Sequence, residues 1–286
     1  MGWSKAEILA ATGGKVLREG HETQFGEVVT DSNRVKRGSV FVALKGERHD
    51  GHRFVGAAVR RGARCVIVHR WLRGSTLGHA TAVKVRDTLR ALGDLAHYRR
   101  EKFSPRVLAI TGSNGKTTTK EMVAAILEEA FLNGAALRGK VLKTEGNFNN
   151  LVGLPLTLLR LRKKDRAAVV ELGTNQPGEI QRLAEIAGPD AGIITSVAAA
   201  HLEGLNSLAG VAREKGALYR NLRPAGIIAV NLDDPWVRRL GAKFKGKKIT
   251  YGKGAPVRAA SCRPFGARGM RFTLRAGKKR CVPKLR

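Results

Sequence analysis

The sequence predicts an α/β protein in two parts. These are a small mixed α/β domain over residues 1–104 and a phosphate-loop domain with a mostly parallel sheet over residues 105–286. One observation is that short apolar runs alternate with helical periodicity from Arg106 onward, which is typical of a parallel sheet with helices on both faces. Another is a glycine-bearing turn between the first of these runs and the first helical segment. The third is the length of 286 residues, which corresponds to about two domains of ordinary size.

Residues 1–104 combine strand and helix signals, and this mixture is the basis for the first domain. Apolar runs predict strands at Val40–Leu44 and Cys65–Val68, while helical periodicity predicts a helix over Asp87–Arg100. Ser104-Pro105 marks the end of the domain, because proline punctuates regular structure.

The second domain has a regular order of predicted elements. The strands are Val107–Ile110, Ala167–Glu171, Ala191–Ser196 and Ile227–Val230. The helices are Thr117–Leu132, Gly178–Ala187, Ser207–Asn221 and Pro235–Leu240. Ligands of such sheets bind at the carboxyl ends of the strands. Polar residues that follow strands are therefore candidates for a site, namely Lys116, Glu171, His201 and Asp233.

Residues 109–119, Ala-Ile-Thr-Gly-Ser-Asn-Gly-Lys-Thr-Thr-Thr, predict a phosphate-binding loop. Gly112 and Gly115 can take backbone angles that other residues avoid, so successive N–H groups can surround a phosphate at the positive end of a helix. Lys116 can reach the β- and γ-phosphates, and the hydroxyl of Thr117 can ligate Mg²⁺. The segment is a shorter form that lacks the first glycine of the general motif. The loop residues predicted to bind ATP are Gly112, Ser113, Asn114, Gly115, Lys116, Thr117 and Thr118.

Two residues that follow later strands are candidates for metal binding. A carboxylate such as Glu171, at the end of a strand, can ligate the Mg²⁺ that bridges nucleotide phosphates. Taken alone, a solvent-facing acid is the better interpretation of Glu171, and the phosphate loop is what favours Mg²⁺. His201 could ligate or orient a second metal ion, although a lone histidine is more often structural.

Three further residues have both a chemical and a structural interpretation. Lys215 would ordinarily be a solvated lysine, but removal from water would depress its pKa and make the amine reactive, for example towards CO₂. Asn231 and Asp234 follow a strand, where they could hold adenine or ribose. The same segment is also a good helix N-cap sequence, and both interpretations can hold together.

Composition excludes some classes of protein and leaves one alternative open. No apolar run approaches the ~20 residues of a membrane span, and the three cysteines have no metal or disulfide spacing, so a reducing cytoplasm is the simplest setting. The net charge is +30, and fifteen Lys or Arg but no acid occur from Lys243 onward. We favour solvated basic faces and attraction of anionic substrates over a basic nucleic-acid-binding module, since charge alone is non-specific.

Several segments together resemble the Mur ligase family, and the resemblance covers nearly the whole chain. Residues 111–122 resemble the family's ATP loop, and residues 144–159 resemble its substrate segment. Residues 171–180 and 201–210 are similar to two further family segments. In the first domain, the segments similar to a UDP-binding domain are Asp31-Ser32, residues 41–47 and residues 50–54. Taken together, the segments are most similar to those of the D-alanyl-D-alanine-adding member.

The resemblance implies a reaction. ATP would phosphorylate the terminal carboxylate of UDP-N-acetylmuramoyl-tripeptide, and the amine of D-alanyl-D-alanine would attack the acyl phosphate to give the pentapeptide precursor. Lys116 and Mg²⁺ would neutralise charge and hold the reacting atoms in line. The protein is expected to be a cytoplasmic monomer that inserts into no membrane and binds no specific nucleic acid.

The resemblance also implies roles for individual residues. Thr117 and Glu171 would hold the first Mg²⁺, and His201 would serve a second ion. Lys215 matches, by position, a lysine that is carbamylated in some members, and with Lys116 and His201 it completes the implied catalytic set. The implied substrate-binding residues are Ser32, Thr144, Asn149 and Asn150. Asn231 and Asp234 would face the nucleotide base or sugar.

The chain departs from the family pattern in two places. The family's Asp-Ser-Arg is Asp31-Ser32-Asn33-Arg34 here, so the arginine is shifted by one position. The family's third, C-terminal domain has no counterpart, and the basic residues 278–286 look unlike the expected last strands. We therefore expect substrate and weak ATP binding without ligation, and an exposed sheet edge prone to aggregation. Two further alternatives are another ligase of the family, acting on a different amino acid or folate, and a phosphate-loop kinase or GTPase.

Overall fold

The computed structural model describes residues 2–46, 49–71, 74–133, 140–200, 202–264 and 269–282. Contacts divide the chain into two compact units, one of Met1–Pro105 with Gly139–Arg166 and one of Arg106–Arg138 with Ala167–Arg286. The division after Pro105 lies next to the predicted boundary. Residues 139–166, which the prediction assigned to the second domain, group instead with the first unit.

The first unit is built on a five-stranded sheet with the strand order β2-β7-β6-β5-β4. Its strands are β2 (Lys15–Arg18), β4 (Val28–Val29), β5 (Val40–Val42), β6 (Cys65–Val68) and β7 (Thr81–Lys84). The strands from β4 to β7 are parallel to their neighbours, and β2 is antiparallel to β7. A separate antiparallel pair consists of β1 (Trp3–Ser4) and β3 (Gln24–Phe25).

Alternation of side chains along the strands gives the first unit two cores. Val40 and Val42 of β5 lie in one cluster with Trp3 and Ile8, whereas Phe41 between them lies in the other. The same alternation holds along β6. Because successive strand residues point to opposite faces, apolar side chains cover both faces of this sheet.

Among the described residues, five α-helices and two short 3-10 turns belong to the first unit or to the segment grouped with it. The helices are α1 (Lys5–Thr12), α2 (Val55–Arg60), α3 (Gly74–Leu77), α4 (Thr88–Phe103) and α6 (Gly153–Leu158), and the 3-10 turns are Ser32–Arg34 and Gly51–Phe54. Asp87 caps α4, where Oδ1 accepts from Leu89 N at 2.7 Å. Strand β9 (Lys140–Lys143) and α6 occupy residues 139–166. Leu156 and Leu159 pack against the first-unit core, which explains why this segment groups there.

The second unit has the larger sheet, and its fold class is as predicted. Its strands are β8 (Arg106–Thr111), β10 (Asp165–Glu171, whose first residues adjoin the first unit), β11 (Ala191–Ile194), β12 (Ile227–Asn231), β13 (Lys247–Tyr251), β14 (Val257–Pro264), β15 (Met270–Ala276) and β16 (Lys279–Cys281). Within the unit their order is β16-β15-β14-β13-β12-β11-β8-β10. Pairing is parallel from β10 to β14 and antiparallel from β14 to β16. The basic end thus continues the sheet, contrary to the expectation that it departs from strand structure, although residues 283–286 lie outside the described residues.

The helices of the second unit largely match the predicted positions. They are α5 (Lys116–Asn133), α7 (Glu179–Ala187), α8 (Leu202–Leu205), α9 (Leu208–Lys215), α10 (Ala217–Arg220) and α11 (Pro235–Lys243). The predicted single helix Ser207–Asn221 was wrong, because the chain divides it at Gly216. The predicted strand Ala191–Ser196 ends at Ile194, since Ser196 O accepts from Ser113 N instead of continuing the ladder. Among the described residues, no helix is both long and apolar enough to cross a membrane.

The three cysteines are expected to differ sharply in reactivity. Cys65 is fully buried in β6, and burial raises the pKa of its thiol to about 12, whereas Cys262 and Cys281 are exposed. In the folded protein we expect a thiol reagent such as DTNB to modify Cys262 and Cys281 quickly and Cys65 only on unfolding. Cys65→Ala should leave the native reaction unchanged. Equal native rates at all three thiols would contradict this burial.

Candidate active site

The phosphate loop lies between the end of β8 and the start of α5. Its glycines have φ angles of +152° at Gly112 and +79° at Gly115, a region that L side chains rarely adopt. A Cβ atom at Gly112 would lie 1.8 Å from Thr195 Oγ1. Both conformation and space therefore require glycine at Gly112. The loop leads into α5 at Lys116, one residue before the predicted start at Thr117, so the helix begins where a phosphate would bind.

The segment that follows β11 holds the phosphate loop in place. Ser113 N donates to Ser196 O at 2.9 Å, and Ser113 Oγ both donates to Ala198 O at 3.0 Å and accepts from Ala198 N at 2.9 Å. Thr195 Oγ1 donates to Asn114 O at 2.5 Å. Sequence analysis did not identify Thr195 and Ser196 as part of the site. Their position directly after a buried strand was the available signal.

Lys116, Thr117 and Glu171 lie together at the carboxyl ends of β8 and β10. Lys116 Nζ donates to Gly112 O at 2.8 Å, so its ammonium group lies over the loop. Thr117 Oγ1 lies 3.3 Å from Glu171 Oε2, and Glu171 is only 1% exposed. A hydroxyl and a carboxylate are oxygen ligands of the kind that Mg²⁺ prefers. The chemistry of this pair therefore fits a magnesium ion.

Lys120 is a further charged neighbour of Glu171 that sequence analysis missed. Its Nζ lies 3.6 Å from Glu171 Oε1, and both side chains are buried. Lys120 follows Lys116 by one helical turn, so both lie on the same side of α5. Helical spacing was the signal that would have identified Lys120. The pair places a positive charge beside the carboxylate at the base of the site.

Lys215, at the end of α9, is removed from water. The side chain is 2% exposed, and burial lowers its pKa to about 8, with a smaller contribution from the charge of Lys116. The neighbouring carboxylate of Glu214 acts in the opposite direction. A lysine with this pKa carries a substantial fraction of neutral amine near pH 8, which is the form that reacts with electrophiles such as CO₂.

Glu214 joins α9 to the loop that follows Glu171. Its carboxylate accepts from Gly178 N at 2.8 Å and from Ile180 N at 2.7 Å, and Thr174 Oγ1 lies 3.5 Å from it. Gly178, the N-cap residue of α7, has no side chain to satisfy these N–H groups. Glu214 therefore caps α7 from a distant part of the chain. Nothing in the local sequence indicates this contact.

Loss of this cap is expected to destabilise the fold. Glu214→Ala leaves the buried N–H group of Ile180 and the part-buried N–H group of Gly178 without a charged acceptor, so we expect the free energy of unfolding to fall by about 3 kcal/mol. Glu185→Ala provides a matched control, because Glu185 is exposed on the same helix and should change the value by less than about 0.5 kcal/mol. Urea unfolding measures both. An effect of Glu214→Ala no larger than that of the control would contradict the assigned role.

Asn231 and Asp234 both make structural contacts. Asn231 Nδ2 donates to Thr195 O at 3.0 Å, which links β12 to the segment behind the phosphate loop. Asp234 caps α11, where Oδ1 accepts from Trp236 N at 2.9 Å, and Oδ2 accepts from Val197 N at 2.7 Å. The N-cap interpretation of this segment therefore holds. A role for either residue towards a nucleotide base or sugar stays a prediction.

Next to this segment lies a cleft of about 630 Å³. It is lined by Asp233, Tyr251, Gly252, Lys253, Gly254, Val257, Arg258, Ala259 and Leu274. Lys253 N donates to Asp233 Oδ1 at 2.8 Å.

His201, the predicted ligand of a second metal ion, lies outside the described residues.

The first unit has its own cleft, of about 720 Å³. Its charged and polar lining residues are Glu27, Thr30, Asp31, Asn33, Arg34, Lys36, Glu145 and Arg160. Ser32 opens the 3-10 turn Ser32–Arg34, which Asp31 caps through a 2.8 Å bond from Asn33 N to Oδ1. Arg34 lines this cleft although the sequence shifts it by one position from the family pattern.

The three remaining predicted substrate residues differ in exposure. Thr144 is fully buried, Asn149 is half-buried and Asn150 is exposed. Asn150 Oδ1 accepts from Gly153 N at 2.8 Å and from Val152 N at 3.1 Å, and so helps to start α6. Their roles towards a substrate stay predictions.

Two family models match this chain. The model described as the Mur ligase middle domain matches residues 110–278, and the model described as the Mur ligase family catalytic domain matches residues 25–100. The first of these alone covers more than half of the chain. The two matches fall within the second and the first unit respectively, apart from residues 139–166.

Curated relatives and solved structures agree with these matches. The chain is 41% identical over 269 residues to the UDP-N-acetylmuramoyl-tripeptide–D-alanyl-D-alanine ligase of Haemophilus influenzae. This alignment covers 94% of this chain and 56% of that protein. It is 42% identical to the enzyme of the same name from Escherichia coli, over 76% of this chain and 45% of that protein.

Among solved structures, MurF from Acinetobacter baumannii has a TM-score of 0.91 at 33% identity, over 100% of this chain and 61% of that chain. MurF from Thermotoga maritima in complex with ADP has a TM-score of 0.80 at 30% identity, over 90% of this chain and 57% of that chain. The chain thus spans about half the length of the curated relatives it matches. On the middle-domain match and the geometry of the phosphate loop, the chain belongs to the Mur ligase family.

Proposed function

We propose that this chain supplies the nucleotide-binding and UDP-substrate-binding sites of an ATP-dependent ligase that joins D-alanyl-D-alanine to UDP-N-acetylmuramoyl-tripeptide. The observation that carries the proposal is the group formed by Lys116, Thr117 and Glu171 at the carboxyl edge of the parallel sheet. The named relatives support the choice of reaction over a phosphate-loop kinase or GTPase.

The residues of the loop would bind and orient the phosphates. Backbone N–H groups from Gly112 to Thr118 would surround the phosphates, except those of Ser113 and Asn114, which donate to Ser196. The ammonium of Lys116 would neutralise the negative charge of the phosphates. ATP supplies the phosphoryl group that turns the tripeptide carboxylate into an acyl phosphate, which the incoming amine can attack. Two anions must approach each other in that step, so electrostatic stabilisation by Lys116 would be the main contribution of this chain.

Four residues would hold magnesium or prepare for it. Thr117 and Glu171 would hold the first Mg²⁺ through oxygen ligands, and His201 would serve a second ion. A carbamate on Lys215 would turn a buried cation into an anion suited to Mg²⁺, and the lowered pKa of the amine supports this assignment. Asn231 and Asp234 would face the base or sugar of the nucleotide.

The first unit would bind the UDP-linked substrate. Its cleft of about 720 Å³ has Arg34 and Arg160 for phosphate groups and Asn33 for polar contacts. Ser32, Thr144, Asn149 and Asn150 would complete the substrate site. We further propose that the protein is cytoplasmic, because the named relatives act on a nucleotide-linked precursor, and that it is a monomer.

Binding measurements test this proposal without requiring turnover. We expect calorimetry to give tighter Mg²⁺-dependent binding of ATP than of GTP, and tighter binding of UDP-N-acetylmuramoyl-tripeptide than of UDP alone. Glu171→Gln should weaken ATP binding and leave UDP-substrate binding unchanged. Equal affinity for GTP, or no binding of the UDP-tripeptide, would overturn the assignment. Phosphate release with other amino acids or folate in place of D-alanyl-D-alanine would favour another ligase of the family.

A further inference from the structure

The antiparallel strands β14, β15 and β16 place arginines directly opposite one another. Arg258 pairs with Arg275, and Arg275 pairs with Arg280 on its other side. Arg263 pairs with Arg271 further along the same two strands. These residues form a surface, the arginine face, which consists of Arg258, Arg263, Arg271, Arg275 and Arg280.

All five side chains project from one face of these strands because of a local irregularity. Arg271 and Arg275 lie four positions apart on β15, and side chains at even spacing along a strand point to the same side. On β14 the register shifts between Ala260 and Arg263, where the strand gains one residue relative to its partner. Without that shift, Arg263 would point to the opposite face.

The opposite face of the same strands is mainly apolar and carries one exposed lysine, Lys279, which pairs with Ala276. Phe272 and Leu274 alternate with the arginines along β15 and are half-buried, and Val257 and Met270 lie on that side as well. Four of the five arginines are exposed, and Arg258 is half-buried, with Nη1 donating to Ala255 O at 2.8 Å. The five arginines therefore lie on one face of the strands, and most of the apolar side chains lie on the other.

Like charges placed directly opposite each other on a sheet destabilise it. No Asp or Glu follows Asp234 in the sequence, so these strands contain no carboxylate that would offset the repulsion. Neighbouring strands lie ~4.8 Å apart, and the four-residue step from Arg271 to Arg275 spans ~13 Å. This area is larger than one phosphate group and is suited to several consecutive phosphates of a polymer.

We propose that the arginine face binds the phosphate backbone of double-stranded nucleic acid without reading its sequence. The arginine guanidinium can form two parallel hydrogen bonds to phosphate oxygens, which favours a phosphate-bearing partner over a neutral one. In the described residues of β14–β16, the remaining side chains on this face are Ala260 and Thr273, so it has no aromatic ring on which unpaired bases would stack. The apolar residues lie on the opposite face, which argues against insertion of the arginine face into a membrane.

Fluorescence anisotropy with a labelled random duplex tests the proposal on the full chain. The salt concentration is varied from about 50 to 200 mM, because each phosphate contact contributes about 0.9 to the slope of log affinity against log salt. The test variant is Arg271→Gln with Arg275→Gln. The matched control is Lys245→Gln with Lys247→Gln, which removes the same charge from two exposed lysines in and before β13.

We expect the arginine variant to lose at least about tenfold in duplex affinity and about 2 units of salt slope, and the lysine control to lose less than about threefold. Equal losses in both variants would show attraction by net charge alone and overturn the proposal. Absence of duplex binding would overturn it too, as would arginine-dependent binding of phosphatidylserine vesicles or of polyglutamate that is stronger than duplex binding.

A second variant guards against a folding defect in the first. Arg271→Lys with Arg275→Lys keeps the charge and removes the bidentate geometry, so we expect a partial loss of affinity, about threefold, with an unchanged salt slope. Thermal melting should give no variant a lower Tm than the parent protein, and the glutamine variant should melt no earlier because it loses like-charge repulsion. If the lysine variant and a folded glutamine variant both bind the duplex with full affinity, the result contradicts a role for these side chains.

Discussion

Alanine at Gly112 is expected to abolish measurable nucleotide binding. The added Cβ atom would lie 1.8 Å from Thr195 Oγ1 and 3.1 Å from Ser196 N, and the φ angle of +152° disfavours any side chain. The loop must therefore move away from the segment that positions it, and its N–H groups would no longer converge on a phosphate. We expect affinity for a fluorescent ADP analogue to fall by more than about 100-fold, since several charge-assisted hydrogen bonds are lost together.

The control for this change is alanine at Gly277, in the turn between β15 and β16. Gly277 has a φ angle of +59°, but no atom lies within 4 Å of an added Cβ. The substitution should cost about 1 kcal/mol of stability through backbone conformation and leave nucleotide affinity unchanged. If the Gly112→Ala protein binds the analogue within about threefold of the parent, then the close approach of Gly112 to Thr195 does not determine how the loop N–H groups bind phosphate.

The phosphate loop could be predicted from sequence because its signals are local. A buried strand, two glycines and a helix start occur within a few residues, and the structure joins them in that order. Glu171 could be predicted for a similar reason, since it ends a buried strand that becomes β10. The parallel alternation of strands and helices was likewise sufficient to predict the fold class of the second unit.

Contacts between distant parts of the chain were beyond such prediction. Glu214 caps α7 across 34 to 36 residues, and Lys120 meets Glu171 across a longer interval. Helical spacing from Lys116 indicates which side of α5 Lys120 occupies, but no local pattern identifies either contact. The arginine face depends on strand register and on one extra residue in β14, which composition does not reveal. Sequence analysis predicted solvated basic faces there, whereas pairing places five arginines on one side.

Removal of the buried charge of Lys215 is expected to change how stability depends on pH. Burial lowers the pKa of Lys215 from 10.5 to about 8, so the unfolded chain binds this proton more tightly than the folded chain. Below pH 8 the folded protein holds a buried ammonium at the full cost, which 2.5 pKa units convert to about 3 kcal/mol. Between pH 8 and pH 10.5 the cost declines, and above pH 10.5 it is absent.

Lys215→Met keeps most of the side-chain volume and removes the charge. In CO₂-free buffer, we expect the variant to be more stable than the parent at pH 7 by up to about 3 kcal/mol, and the difference to shrink towards pH 10.5. Urea unfolding of both proteins across this range provides the comparison. Groups other than the charged neighbours Lys116 and Glu214 titrate equally in the two proteins, so their contributions cancel in the difference. A difference that is constant with pH would mean that Lys215 titrates alike in the folded and unfolded chains, and the physical basis for a reactive neutral amine at this position would be lost.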